Sequence, residues 1–526
     1  MKILVAEKIA NSGIEMLKED YEVEVDTELT PEELVAEIGA YDGLIVRSAT
    51  KVTREVIEAA DNMKIIGRAG VGVDNVDVQA ATERGIIVCN APTSNIVSAA
   101  EHTIALMLAQ SRNIPQASAS MRECKWERSK FVGTEVYEKT LAIFGLGRIG
   151  SLVAERARCL GMNLIGYDPY VTPERAQAMG VEIFDDVDEI LSRADYITVH
   201  LPKTKETIGM FGAEEFAKMK DGVRLVNTAR GGIYQTEALA EALESGKVAS
   251  VAIDVYEVEP CTDSPLSGLD NAILTPHLGA STAEAQDRAG EQIAEYVGAG
   301  LAGKMVPTAV NIAPVAPEVY EEVGPWIEVA ENLGRMVAQI ARGGIDSLDV
   351  EFVGTLADVD TRILRTAVLK GLLTVVGAES VNFVNADYYA EQRGISVAEV
   401  NRSETYDYVS LIKVKAKTPD GPMEVGATLV GKKNEPRLVS LYKHDIDMTP
   451  SQYMAFFIYE DRPGMIGKVG TLLGLSDVNI ASMQVGRTQV GGEALMGINV
   501  DTPVGPELLE KIVSEAGITD AWSVEL

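Results

Sequence analysis

One hexapeptide, Gly145-Leu146-Gly147-Arg148-Ile149-Gly150, restricts the fold of this chain more than any other segment. It follows the apolar run Thr140 to Phe144, which reads as a strand, and precedes Ser151 to Leu160, whose apolar residues have helical spacing. A glycine turn between strand and helix belongs to a doubly wound parallel sheet. The first glycine makes the turn, the second lets a pyrophosphate approach backbone N–H groups, and the third lets helix and strand pack closely. The helix N-terminus favours the anion. The next strand ends at Tyr167-Asp168, where a carboxylate accepts hydrogen bonds from the adenosine ribose and repels a 2′-phosphate. No Arg or Lys follows Asp168 immediately, so NAD is expected rather than NADP, with Gly145, Gly147, Arg148, Ile149, Gly150 and Asp168 as contacts.

At 526 residues the chain is too long for one ordinary core. Residues 2 to 97 alternate apolar runs with helical patterns and read as one α/β unit, left by a long helix from about Ser98 to Ser111. A second unit places strands at Thr140 to Phe144, Asn163 to Tyr167, Tyr196 to His200, Arg224 to Asn227, Val248 to Asp254 and Ala272 to Thr275. From about Gly300 the chain thins into Gly and Pro, and Pro307, Pro314, Pro317 and Pro325 predict a linker or hinge. A third unit spans about 315 to 447. The last segment, about 452 to 526, reads strand, helix, strand, strand, helix, strand, which is a ferredoxin-like order.

Composition narrows the partners. A formal charge of −32 argues against nucleic acid and anionic membrane, because the long-range field repels both. No apolar run approaches a membrane span, and the start at Met1 to Ala6 is too short for a secretory signal, so a cytoplasmic chain beginning here is expected. Cys89, Cys124, Cys159 and Cys261 are scattered, which favours free thiols and gives no metal site. In so acidic a background, clustered Arg and Lys carry more weight as an anion site.

Three segments follow strands of the second unit, where open α/β sheets bind ligands: Asn227 to Gly232, Asp254 to Pro260, and Pro276 to Thr282. Hydride chemistry on a 2-keto or 2-hydroxy acid needs a proton carrier at the C2 oxygen, a cation for the carboxylate and a group that holds the carrier protonated. His277, Arg230 and Glu259 fill those roles by type, since a carboxylate beside an imidazole favours the charged ring and a guanidinium fork matches a carboxylate. His102 reads as a packing or hinge residue, and His200 ends a strand of the second unit.

These segments, with the glycine turn, closely resemble the D-isomer-specific 2-hydroxyacid dehydrogenase family over residues 1 to about 305. The resemblance implies Arg230, Glu259 and His277 as catalytic residues. It implies further NAD contacts from Val71, His200, Leu201, Pro202, Thr228, Ala229, Arg230, Asp254, His277, Leu278, Gly279 and Ala280. It also implies a substrate-binding domain of residues 1–97 completed by 284–305, around a Rossmann-like NAD-binding domain of 98–283. Gly43 to Thr50 and Gly67 to Asn75 resemble the branch of the family that oxidises 3-phosphoglycerate on the route to serine. That implies substrate contacts from Arg47, Ser48, Arg68, Ala69, Gly70 and Val71, with Arg128 and Lys130 reaching a neighbouring subunit's cleft.

Residues 452–526 resemble the ACT domain, a small-molecule sensor that pairs with a copy of itself, and residues 315–447 resemble the intervening α+β domain of the long forms. The first resemblance implies a homo-oligomer, dimer or tetramer, and L-serine held by Tyr459, Asp461 and Asn479 at the interface. Lys432, Lys433 and Arg437 are candidate anion contacts in the intervening domain. Two other readings remain open at this point: a hydroxypyruvate or glyoxylate reductase of the same fold, and an NAD-sensing binding protein that kept the fold without the chemistry.

Overall fold

The computed structural model describes residues 1–313, 317–342, 344–377, 381–404 and 407–526. Strands β1 (Lys2–Val5), β2 (Glu22–Val25), β3 (Gly43–Val46), β4 (Ile65–Arg68) and β5 (Ile87–Asn90) form a parallel sheet in the order β2-β1-β3-β4-β5. The inner strands are continuous apolar runs because both faces are covered, and Ile3, Leu4, Leu44, Ile45 and Val46 are fully buried. The helix Ala283–Leu301 returns from far along the chain to cover one face. Its Ile293, Val297 and Leu301 pack on Ile3, Ile65 and Cys89. It also lies so close to the helix Asn11–Lys18 that a Cβ on Gly13 would sit 2.5 Å from the carbonyl oxygen of Gly290.

The second sheet contains β6 (Thr140–Phe144), β7 (Asn163–Tyr167), β8 (Glu182–Ile183), β9 (Tyr196–Val199), β10 (Val223–Asn227), β11 (Val248–Ile253) and β12 (Ala272–Leu274). All pairs are parallel, in the order β12-β11-β10-β9-β6-β7-β8. The sequence pattern left β8 out, since it is two residues long and lies at the sheet edge. The strand order reverses between β1 and β3 in the first sheet and between β6 and β9 in the second, and crevices at such reversals are where open sheets hold ligands. The helix Ile96–Ser111 leads from the first sheet onto the second.

On both sides of residues 314–316 the described parts of the proline-rich stretch are ordered by contacts that its composition does not predict. Pro314 lies outside the described residues. Ahead of it the chain is pinned to the first sheet: Val310 N–H donates to Val88 C=O at 2.8 Å, and Asn311 Oδ1 accepts from Val88 N–H at 2.9 Å. Pro317 and Pro325 belong to a helix, Pro317–Ile340. A proline at the first position forfeits no helical bond, whereas Pro325 removes the donor that would reach Glu321. The helix continues because Val323, Trp326, Val329, Ala330, Leu333, Val337 and Ile340 bury one whole face.

That helix and Arg362–Val375 cover a sheet of β13 (Ser347–Gly354), β14 (Ser396–Arg402), β15 (Ser410–Thr418), β16 (Gly421–Val430), β17 (Glu435–Leu441) and β18 (His444–Met448). The final sheet, β19 (Tyr453–Glu460), β20 (Ile480–Arg487), β21 (Glu493–Val500) and β22 (Asp520–Glu525), is antiparallel in the order β20-β21-β19-β22, with helices Met465–Gly474 and Pro506–Ala516 on one face. Phe457, Val469, Leu473 and Ile512 fill that side. The opposite face gives Phe456, Leu495 and Trp522 to the core of the preceding sheet, beside Leu438, Ile446 and Met448. No helix among the described residues is long and apolar enough to cross a membrane.

The contact at Gly13 makes the return of Ala283–Leu301 testable. Gly13→Val overpacks it, and the transition that melts the first sheet, followed by scanning calorimetry, is expected to lose about 1–3 kcal/mol.

Candidate active site

The loops after β11 and β12 are tied together. Glu259 Oε1 accepts from Tyr256 N–H at 3.0 Å, and the Tyr256 hydroxyl donates to Thr275 C=O at 3.0 Å. Across this frame Glu259 Oε2 meets His277 Nδ1 at 2.7 Å. The bond to Glu259 raises the His277 pKa against the opposing effect of burial. Burial pushes the Glu259 carboxyl up, but the bonds from His277 and Tyr256 outweigh it and hold the group below its ordinary range. The His277 side chain is half-exposed, and its Nε2 has no hydrogen-bond partner among the described residues. Its φ of 55° lies in the left-handed region, which costs a residue other than glycine about 1–2 kcal/mol.

Behind that loop sits a fully buried carboxylate. Asp254 Oδ1 accepts from Thr275 Oγ1 at 2.6 Å and Leu278 N–H at 2.8 Å, and Oδ2 accepts from Gly279 N–H at 2.8 Å. Ala280 follows in the same loop. The loop after β10 is closed by Asn227, whose side chain donates to Arg230 C=O at 2.9 Å and accepts from Ala229 N–H at 3.0 Å. Arg230 then crosses to the first domain. A Cβ on Gly72 would lie 2.8 Å from its Nη2, and its Nε is 3.9 Å from Asp74 Oδ2.

The facing wall comes from the ends of β3 and β4. Ala91 N–H donates to Gly70 C=O at 2.8 Å, and the Asn90 side chain donates to Val71 C=O. The amides of Val71 and Gly72 have no protein acceptor among the described residues. The Arg68 guanidinium lies against Gly70, its buried Nε unpaired, and burial together with Arg230 lowers its pKa to about 10, so it stays cationic at neutral pH. Arg47 is half-buried beside a cavity of about 200 Å³ that it lines with Lys8, Asn11 and Ala69. Ser48 next to it is exposed.

Two residues that organise this wall escaped the sequence reading. Glu7, directly after β1, accepts the N–H groups of Arg47, Ala49 and Thr50, and the Asn75 amide donates to the carbonyls of Arg47 and Thr50. The signal for Glu7 was its place at the carboxyl end of a strand beside the order reversal. Arg128 and Lys130 are not brought to this cluster within one chain. Both are exposed, and Lys130 pairs with Glu127.

The glycine turn fits a dinucleotide. Gly145 has φ 94° beneath the carbonyl of His200, and a Cβ on Gly150 would strike the Gly145 carbonyl, while a Cβ on Gly147 would meet nothing within 4 Å. The second glycine thus leaves open space in front of the helix N-terminus. Asp168 accepts from Leu146 N–H at 2.8 Å and Tyr170 N–H at 2.9 Å, which fixes its carboxylate at the mouth. Arg148 is exposed and Ile149 half-buried at the helix start. Burial pushes the His200 pKa down to about 4, so a neutral ring stands behind Leu201 and Pro202. Thr228 Oγ1 lies 2.7 Å from Thr103 Oγ1.

Far from this cleft, Tyr459 is buried in the core of the last domain, Asp461 accepts from Gly491 N–H at 3.2 Å and lies 3.4 Å from Arg487, and exposed Asn479 donates to Asp501. The single chain makes no bond among the three. Arg437 lies 3.7 Å from Asp447, and Lys432 and Lys433 are exposed.

Comparison with known proteins agrees with this layout. Residues 104–279 match the family model for the NAD-binding domain of D-isomer specific 2-hydroxyacid dehydrogenases, 322–442 the D-3-phosphoglycerate dehydrogenase intervening domain, and 453–517 the ACT domain. The D-3-phosphoglycerate dehydrogenases of Archaeoglobus fulgidus and Methanocaldococcus jannaschii are 46% and 45% identical, each covering 100% of both chains, and that of Synechocystis sp. is 45% identical over 100% of this chain and 95% of its own. The chain belongs to the D-3-phosphoglycerate dehydrogenase family. Among solved structures, a glyoxylate reductase from Paecilomyes thermophila matches with TM-score 0.54 at 33% identity, covering 59% of this chain and 98% of its own. D-lactate dehydrogenase from Escherichia coli matches with TM-score 0.53 at 29% identity, covering 59% and 100%. As a member of this family the chain is an NAD-dependent oxidoreductase.

The fixed carboxylate at the mouth of the turn yields a direct test. Asp168→Ala is expected to weaken NADH binding by roughly 10- to 100-fold, the scale of one charge-assisted hydrogen bond, and to narrow the preference over NADPH, both read by fluorescence titration.

Proposed function

We propose that the chain oxidises 3-phospho-D-glycerate at C2 to 3-phosphohydroxypyruvate, the first step of L-serine synthesis. The observation that carries this reading is the 2.7 Å pair of Glu259 and His277 opening on the same cleft as Arg230 and Arg68. Bound NAD supplies the hydride acceptor for C2. His277 Nε2, unprotonated, takes the proton of the C2 hydroxyl, while Glu259 on Nδ1 fixes the ring and stabilises the imidazolium that results. Arg230 and the free amides of Val71 and Gly72 hold the carboxylate and the C2 oxygen. Arg47 and Arg68, with Ser48, Ala69 and Gly70 shaping the loops, take the phosphate.

The site assignments extend to the cofactor and the assembly. Gly145, Gly147, Arg148, Ile149 and Gly150 cradle the pyrophosphate, Asp168 takes the adenosine ribose, and His200 to Pro202, Thr228, Ala229, Asp254 and Leu278 to Ala280 line the rest of the cofactor's path. Exposed Arg128 and Lys130 serve a neighbouring subunit's cleft in a homodimer or homotetramer in the cytoplasm. L-serine binds between two ACT domains at Tyr459, Asp461 and Asn479, a placement favoured by the distribution of these residues, which one chain does not unite. The binding-protein alternative has no use for a paired imidazole and carboxylate.

The sign of the pH dependence follows from the paired groups. Oxidation needs the unprotonated imidazole, and its pKa is raised above 6.5, so kcat/KM for oxidation falls with acid along a limb centred above that value. Glu259→Gln removes the cause of the shift and moves the limb to lower pH, with a loss of turnover of about 10² to 10⁴ for His277→Ala.

The substrate is tested by steady-state kinetics with 3-phosphoglycerate and NAD at rising L-serine, and in reverse with 3-phosphohydroxypyruvate against hydroxypyruvate. Arg68→Met is expected to lower kcat/KM about 10- to 100-fold for the phosphorylated substrate and little for the other, as one charge-assisted contact is worth about 1.5–3 kcal/mol. Equal efficiencies in the wild type favour the reductase alternative, and unchanged rates at millimolar serine remove the effector.

A further inference from the structure

His102 projects from the middle of the helix Ile96–Ser111, to which no chemical role is given above. Its Nε2 lies 3.2 Å from Asp254 Oδ1 and 3.4 Å from Thr275 Oγ1. Asp254 is the carboxylate that brackets the His277 loop, accepting from Thr275 on one side of His277 and from Leu278 and Gly279 on the other. The next residue of the helix, Thr103, meets Thr228 Oγ1 at 2.7 Å, two positions from Arg230. Ala99, one turn earlier, touches the place a Cβ on Gly279 would take, at 4.0 Å. One stretch of helix therefore touches both catalytic loops.

We propose that His102 is a positioning residue for the reaction, acting on His277 through Asp254, and that this helix sets the register of both loops. The inference rests on the function proposed above, and deepens it.

The physical argument starts from the left-handed backbone at His277. That conformation is held, not preferred, and it persists because residues on each side are bound to one immobile carboxylate. A carboxylate with no exposure stays ionised only where enough donors surround it. Burial pushes the Asp254 pKa up, and the bonds from His102, Thr275 and Leu278 reverse the sign and hold it below its ordinary range. His102 is the donor in this set that does not belong to the loop being held. The others, Thr275, Leu278 and Gly279, all come from the segment that carries His277. The Asp254 backbone is held at the sheet end by its N–H bond to Asn227 C=O, but without His102 its carboxylate is oriented only by donors of the segment it should fix, and the His277 ring loses its aim at the C2 oxygen.

The helix is also the chain's route from the first domain to the second. Ser94, just before it, accepts from Arg288 Nε at 3.0 Å, and Arg288 lies on the helix that completes the first domain. A rotation of the two domains about this connection therefore reaches Asp254 and Thr228 through adjacent side chains. Domain closure and alignment of the proton carrier with the carboxylate-binding arginine become one event.

The test is a mutant cycle in the full-length enzyme with 3-phosphoglycerate and NAD. His102→Leu is expected to lower kcat about tenfold, the scale of one charge-assisted hydrogen bond, with KM for 3-phosphoglycerate within about twofold and the thermal midpoint unchanged. His102→Gln, which keeps a donor of similar reach, restores most of kcat. His102→Asn, polar but too short, does not. In an Asp254→Asn background His102→Leu adds nothing further, because the group through which it acts is already neutral.

A wild-type kcat in His102→Leu while His277→Ala is inactive overturns the inference and leaves the proposed function standing. An equal fall with and without the Asp254 substitution also overturns it, since His102 would then act by packing alone. Wild-type turnover in His277→Ala sinks the proposed function and this inference together. If His102→Leu is too unstable to assay, the contrast between the Gln and Asn variants decides: equal rates overturn the inference, and Gln well above Asn supports it.

Discussion

The 2.7 Å contact between Glu259 and His277 sets the demands that the rest of the molecule meets. For the acid and base role proposed for His277 the imidazole needs a fixed tautomer, and the carboxylate on Nδ1 supplies it only if two separate loops keep their spacing. The loops follow neighbouring parallel strands, β11 and β12, whose register is locked by Val251 to Ile253 against Ala272 to Leu274. Tyr256 bonds the loops to each other, and Asp254 bonds the His277 loop to the sheet end. The positive φ at His277 is the local cost of turning the ring toward the cleft, and the bracketing bonds hold it there.

The facing wall solves a different problem. Arg47, Arg68 and Arg230 converge in a chain of formal charge −32, and the lowered pKa of Arg68 records both its burial and the repulsion of its neighbours. Like charges gathered without full pairing raise the energy of the empty cleft, and an anion with two negative groups relieves that repulsion. The acidic surplus elsewhere repels anions at long range, so selection falls to short-range geometry: guanidinium forks and free amides at the strand ends. This arrangement favours a doubly anionic substrate over a small neutral or singly charged one.

The sheets and the cofactor turn were legible in the sequence because they are periodic or chemically singular. Fully buried parallel strands such as Leu141 to Phe144 leave continuous apolar runs, and Gly145 to Gly150 has few structural alternatives. Arg230, Glu259 and His277 were readable as residue types placed after strands, but their mutual distances were not. What escaped depends on contacts between residues remote in sequence. Glu7 looks like an ordinary surface acid until it receives three amides of the 47–50 loop, and His102 looks like a helix-packing residue until Asp254 lies beside it. The prolines misled for a related reason: local propensity at Pro325 was overridden by an apolar face whose partners lie at Leu348, Ile363 and Val368.

The same kind of remote packing joins the C-terminal half to the rest of the chain. The last sheet buries one face under its own helices and the other in the core of the preceding domain, so the two move as one body more readily than as beads on a string. That body touches the first domain through Asn382, whose side chain donates to Gly85 C=O at 2.7 Å while its own oxygen is held by Val384 N–H. Gly85 lies just before β5, at the end of the first sheet opposite Arg68 and Gly70. If L-serine binds between ACT domains as proposed, a small rotation of the joined C-terminal domains would act on the end of the first sheet opposite Arg68 and Gly70.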